Sequence, residues 1–233
     1  MEGWYIDPGY FNFHLFTMSI FVFVLLRFSY IYYWTGRPFG QSSTRCSLKT
    51  LIVLGSGGHT AEMLNLLVVL DMDKFGPRIY VAAETDNMSL EKAGVFENKL
   101  MADREKNYSK NSEHPKFMKI YRSREVGQSY VTSIGTTLIA AAHALWIIFK
   151  VQPQVVICNG PGTCFPLCLC AYFLKFVGLR WCSIFYVESI ARVRRLSLSG
   201  LLVYKLHLAD QFFVQWPQLY KEYPSAKYVG RLM

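Results

Sequence analysis

No CxxC pair occurs in the chain, and its six cysteines, at 46, 158, 164, 168, 170 and 182, fall at the spacings of neither a disulfide scaffold nor a zinc site. Most lie inside apolar runs, which reads as reduced, buried thiols in a cytosol-facing compartment. Acid is scarce too: 16 Asp+Glu stand against 25 Lys+Arg, a net charge of +9. Because Glu2 and Asp7 both sit in the first ten residues, the rest of the chain is more basic still. Such a surplus suits a membrane surface, phosphorylated substrates or nucleic acid alike and selects none of them. Internal repeats and low-complexity tracts are missing, and a hydrophobic content of 52% excludes disorder. At 233 residues the chain has room for one α/β domain and a short extra element, but is short for two full domains with a cleft between them.

Formal charge is absent from Pro8 to Leu26 and again from Phe28 to Gly36. A bilayer core takes roughly 20 helical residues, so residues 11–34 are expected to form one transmembrane helix. Arg27 then snorkels to the headgroups, and Tyr30, Tyr32, Tyr33 and Trp34 form the interfacial belt. A cleaved signal peptide would begin basic and end at a small-x-small site; this start is acidic and no such site follows. Arg27 lies near the far end of the span and Arg37, Arg45 and Lys49 follow it, so the positive-inside rule puts residues 1–10 in the lumen and the body in the cytosol. A second uncharged stretch runs from Ser129 to Phe149. A crossing there would put the strands before and after it on opposite sides of the membrane, so it reads as a core helix with at most one face against lipid.

Past a polar linker at 35–49, residues 50–233 alternate short apolar runs with helical patterns. LIVL at 51–54, IYVAA at 79–83, FMKIY at 117–121, QVVIC at 154–158, CSIFYV at 182–187 and QFFVQ at 211–215 read as buried strands, and Tyr228 and Val229 as the completion of a last one. Helices are expected at about 59–72, 89–101, 129–150, 163–177 and 198–208. Strands without in/out alternation, separated by helices, predict an α/β fold: a Rossmann-like doubly wound parallel sheet preceded by one transmembrane helix. Ala102–Lys116, polar and charged, is expected to be a surface loop.

In such sheets ligands bind beyond the carboxyl ends of the strands. The first of these loops is Gly55, Ser56, Gly57, Gly58, His59, Thr60, running into a helix. Glycines allow close backbone approach and the free N–H groups of a helix start attract anions, so a phosphate fits. The Walker GK[ST] is absent, and Thr60 stands where a dinucleotide fingerprint has its third Gly, although Glu84 is placed like a ribose-binding acid. A glycine turn serving only packing remains open. Asn159, Gly160, Pro161, Gly162 and Thr163 lead into a second helix in the same way, with Cys164 and Cys168 as core. Glu188 and Ser189 precede Arg192, Arg194 and Arg195, which read either as a solvated basic loop or as a diphosphate clamp formed by Arg192 and one neighbour, a task the planar guanidinium suits. His59 could be a general base, a helix cap or a proton donor to phosphate.

The apolar span, GSGGHTAEM at 55–63, NGPGTC at 159–164, ESIARV at 188–193 and the closing YVGRLM together resemble the membrane-anchoring subunits of the UDP-N-acetylglucosamine transferase of asparagine-linked glycosylation, the fourteenth protein of that numbered series. More distantly, the GSGGH loop and the terminal Gly are similar to the N-terminal half of the bacterial GT-B transferase that makes lipid II, whose own loop reads GGxGGH. The resemblance implies a split enzyme. This chain would supply the anchor and the acceptor-side domain, and a soluble catalytic glycosyltransferase subunit would bind UDP-N-acetylglucosamine. Together they would add the second N-acetylglucosamine to dolichol-diphosphate-N-acetylglucosamine on the cytosolic face of the endoplasmic reticulum, without cofactor, metal or nucleic acid. The acceptor diphosphate is then expected on Gly55, Ser56, Gly57, Gly58, Thr60, Asn159, Gly160, Gly162, Thr163, Glu188 and Arg192. His59 is the catalytic candidate, and Arg231, Leu232 and Met233 are expected to dock the partner. The other reading is a membrane-anchored NAD-dependent oxidoreductase using the Gly55–Gly58 loop.

Overall fold

The computed structural model describes residues 8–36, 47–71, 73–105, 114–123 and 129–232. Among them a single parallel sheet holds β1 (Thr50–Val53), β2 (Arg78–Ala83), β3 (Lys116–Ile120), β4 (Val155–Cys158), β5 (Ser183–Val187), β6 (Gln211–Val214) and β7 (Lys227–Tyr228), in spatial order β3-β2-β1-β4-β5-β6-β7. The helices are α1 (Pro8–Trp34), α2 (Gly58–Val68), α3 (Asn87–Glu105), α4 (Tyr130–Val151), α5 (Cys164–Val177), α6 (Leu198–Lys205) and α7 (Pro217–Glu222).

Successive strand residues point to opposite faces, and both faces of the central strands are covered. Ile52, Tyr80, Ala82, Val155 and Ile157 pack with Met63, Leu66 and Leu67 of α2 and Ala93 of α3. Leu51, Val53, Val81, Val156 and Cys158 pack with Ile147 and Ile148 of α4 and Leu167 and Ala171 of α5. That double cover is why β1, β2 and β4 read as unbroken apolar runs. The expected Rossmann-like sheet is present. At its margin β3 is mostly exposed, apart from Ile120, because an edge strand has a neighbour on one side only. Boundaries differ from expectation where the apolar period gives no stop signal: α2 ends at Val68, and α3 continues to Glu105 into the expected loop. The short α7 has too few residues to show a period at all.

Within α1, the 23-residue stretch Asn12–Trp34 contains an 18-residue window of mean hydropathy 1.8 that is almost wholly exposed. Its last turns, however, dock on the body. Arg27 does not reach outward. Its Nε donates to the Phe176 carbonyl (2.7 Å) and Nη2 to that of Lys175 (2.6 Å), at the carboxyl end of α5, where the Gly178 N–H also donates to the Lys175 carbonyl (3.2 Å). Phe28 packs on Phe176 at 4.9 Å between ring centroids, Tyr30 sits edge-on to Trp181, and Ile31 is buried. Beneath this contact Lys175, itself buried, pairs with Asp210 and lies 4.3 Å from the Trp181 ring, while Asp210 Oδ2 accepts from the backbone N–H of Ile184. The linker from 37 to 46 and Cys46 lie outside the described residues.

Stretch Ser133–Val151 of α4 is also long and apolar enough to cross a membrane by length and composition. It packs against the sheet through Ala144, Ile147 and Ile148, and the strands on either side of it, β3 and β4, belong to one sheet. Ile134, Leu138, Trp146 and Phe149 face outward.

Candidate functional site

Loops after β1, β4 and β5 meet at the carboxyl edge of the sheet, because β4 lies between β1 and β5. Gly57 holds φ 64 and ψ −117, backbone open to glycine, and a Cβ there would meet only space. Gly160 has φ 66, and a Cβ on it would stand 2.8 Å from His59 Cε1; one on Gly55 would stand 2.7 Å from Pro161 Cβ. The first two loops are therefore in van der Waals contact, with the His59 ring seated on Gly160.

Neither helix start in this cleft is capped by a side chain. Gly57 has none to offer, and Thr163, at the head of α5, makes no cap hydrogen bond. Thr163 Oγ1 and His59 Nδ1 are buried without hydrogen-bond partners among the described residues. By contrast α6 is capped, Ser197 Oγ accepting from the backbone N–H of Gly200 at 3.0 Å. Two helix N-termini without side-chain caps, side by side at the carboxyl edge of the sheet, make a site of positive potential with backbone donors.

Of the expected ligand residues, Ser56, Gly57, Gly58, Gly162 and Arg192 are exposed. Others face inward. Thr60 donates to the Gly55 carbonyl and meets Ser89 Oγ at 2.7 Å. Glu188 is fully buried: Oε1 accepts from the Ser189 backbone N–H (3.1 Å) and Oε2 from the Ser197 N–H and Oγ (3.0 Å each). A Cβ on Gly200 would collide with Glu188 Oε2. Burial pushes the Glu188 carboxyl above its ordinary range, and the Ser197 and Ser189 hydrogen bonds with the nearby Arg192 charge pull it part of the way back. Glu188 thus props up the start of α6, and Arg192, Arg194 and Arg195 of the same loop are exposed.

Several residues at the site had no sequence signal. Glu62 accepts from Asn159 Nδ2 (3.0 Å) and from Ser189 Oγ (2.9 Å), Ser199 Oγ donates to the Gly160 carbonyl (2.7 Å), and Trp216 Nε1 donates to that of Ile190 (2.7 Å). Ser123, after β3, lies 3.4 Å from where a Gly162 Cβ would be. No periodicity reports partners this far apart in sequence. Among the described residues no group of His, Cys, Asp and Glu could hold a metal ion. At the far end, Leu232 is half-buried, its N–H donating to Gln215 Oε1 (2.8 Å), and Arg231 lies 4.6 Å over the Trp216 ring; Met233 lies outside the described residues.

A parallel sheet with glycine-lined helix starts at its carboxyl edge defines a Rossmann-type domain. In fold it is similar to a UDP-N-acetylglucosamine 2-epimerase from Listeria monocytogenes, at TM-score 0.52 and 14% identity, over 77% of this chain and 42% of that one. The chain therefore spans less than half the length of that structure. Residues 50–232 match the family described as oligosaccharide biosynthesis protein Alg14 like, and the chain belongs to that family. Relatives named UDP-N-acetylglucosamine transferase subunit ALG14 include those of Yarrowia lipolytica, 41% identical over 92% of this chain and 95% of theirs, and of Homo sapiens, 42% identical over 92% and 94%.

Proposed function

We propose that this chain is the acceptor-side, membrane-anchoring subunit of a UDP-N-acetylglucosamine transferase that elongates dolichol-diphosphate-N-acetylglucosamine at the cytosolic face of the endoplasmic reticulum. The observation that carries the reading is the pair of helix starts without side-chain caps, α2 and α5, at one edge of the sheet in a chain of this family. Backbone N–H groups of Ser56, Gly57, Gly58, Gly160, Gly162 and Thr163 would hold the lipid diphosphate, with Arg192 closing on it from the rim. His59 is the candidate base, taking the proton of the attacking sugar hydroxyl as the bond from N-acetylglucosamine to UDP breaks. Because the relatives are named as subunits of the transferase, UDP-N-acetylglucosamine is assigned to a soluble catalytic partner. Exposed α1 would hold the complex to the membrane, with residues 35–49 linking it to a cytosolic body at 50–233. Family membership favours this reading over an oxidoreductase.

The test is transfer from UDP-N-acetylglucosamine to a short-chain dolichol-diphosphate-N-acetylglucosamine. Membranes carrying this chain and the partner together should turn over, and each alone should not. Robust turnover by this chain alone would overturn the split, and NAD binding by the chain would revive the oxidoreductase.

A further inference from the structure

We infer that Glu62 is a positioning residue, a clasp that fastens the loops after β4 and β5 onto α2 and so fixes the spacing of the backbone donors around the acceptor diphosphate. The inference rests on the acceptor-site reading above. Glu62 lies one turn along α2, half-buried, with its carboxylate at the junction of the three loops. One oxygen accepts from Asn159, the first residue of the β4 loop, at 3.0 Å; the other accepts from Ser189, in the β5 loop, at 2.9 Å. Both donors are buried, Asn159 at 0% and Ser189 at 2% exposure, so water does not substitute freely for the carboxylate. The two loops have other ties, Ser199 to Gly160 and Trp216 to Ile190, but those run to α6 and the sheet end, not to α2. Through its two oxygens Glu62 relates α2 to both loops at once. On its other side α2 is joined to the first turn of α3, where Ser89 donates to the Gly55 carbonyl (3.1 Å) and meets Thr60. A carboxylate so near a proposed anion site would repel the ligand if it faced it, yet here both oxygens are turned into neighbouring donors, so the charge holds the cradle together.

The chemistry of the pair supplies the test. Glu62→Ala removes the clasp, and Asn159→Asp sets two carboxylates against each other. Combining Glu62→Gln with Asn159→Asp restores it with reversed polarity, since the amide introduced at position 62 can donate through its nitrogen to the carboxylate introduced at position 159 while its oxygen still accepts from Ser189. In the complex with the partner, each of the first two variants should raise the acceptor KM roughly tenfold, the worth of one charge-assisted hydrogen bond. The UDP-N-acetylglucosamine KM should stay unmoved, and the double variant should return the acceptor KM towards wild type. Amide exchange at residues 159–164 and 188–196 of the full chain should quicken in the single variants and slow again in the double. Wild-type acceptor KM and exchange in Glu62→Ala, or a double variant no better than Asn159→Asp alone, would overturn the clasp. An inactive wild-type complex would sink the transferase reading instead, and the exchange measurement would still decide the clasp.

Discussion

Single atoms set the tolerances of the cleft. Gly200 has no room for a side chain because the Glu188 carboxylate occupies the place where a Cβ would go, and that carboxylate is held there by the N-terminus of α6. Gly200→Ala should therefore destabilise the domain by about 1–3 kcal/mol, the usual cost of overpacking a filled site. A melting temperature within about a degree of wild type would show that Glu188 can swing aside, since a loss of that size shifts the midpoint by several degrees. From the sequence, the place of Gly55, Gly57, Gly160 and Thr163 before two helix starts was legible, since Gly before a helix start has a direct physical meaning. Glu188 was not. A glutamate beside arginines reads as part of a clamp until burial and the donors of Ser189 and Ser197 are seen to enclose it. Glu62 escaped notice for a related reason, as its partners lie in loops that only the sheet order brings near.

At the level of elements, the surprise is where α1 ends. Its apolar length was evident from composition, and a polar linker suggested a loose tether. Instead the Arg27 fork closes the carboxyl end of α5, and Phe28, Tyr30 and Ile31 cover Phe176 and Trp181. The chemistry that carried Arg27 there is ordinary helix capping by a cation, but the pairing of residue 27 with 175 and 176 cannot be read from either segment. Two truncations should separate the anchor from the prop. Removing residues 1–25 should release the chain from membranes and leave its unfolding midpoint near that of the full chain. Removing 1–36 should release it too, but lower stability by roughly 2–4 kcal/mol through lost apolar burial and uncapped carbonyls, seen as a lower denaturant midpoint. Equal midpoints would make the docked turn an onlooker. Continued membrane retention of both would assign the anchor to the outward face of α4, with Ile134, Leu138, Trp146 and Phe149.

For the whole molecule, the sheet carries its own forecast about partnership. β7 has two residues and marks the last edge, and the chain then turns back so that Leu232 touches the core cluster under α2 and α3 while Arg231 covers Trp216. A chain end of this kind would ordinarily fray; here it is pinned instead, because Gln215 offers its side-chain oxygen to the Leu232 N–H. Removing Arg231–Met233 should leave the domain folded and membrane-bound but lower recovery of the soluble partner in pull-downs, and full recovery would move the interface elsewhere. The strand order also sets a timetable for synthesis. β1 lies between β2 and β4, and β4 leaves the ribosome about a hundred residues after β1, roughly 5–20 s later at about 5–20 residues per second. Throughout that wait one flank of β1 offers unpaired ladder groups to any passing strand. A nascent chain halted before Val155 would expose an apolar half-sheet, whereas one halted beyond Val187 would already have its middle sealed.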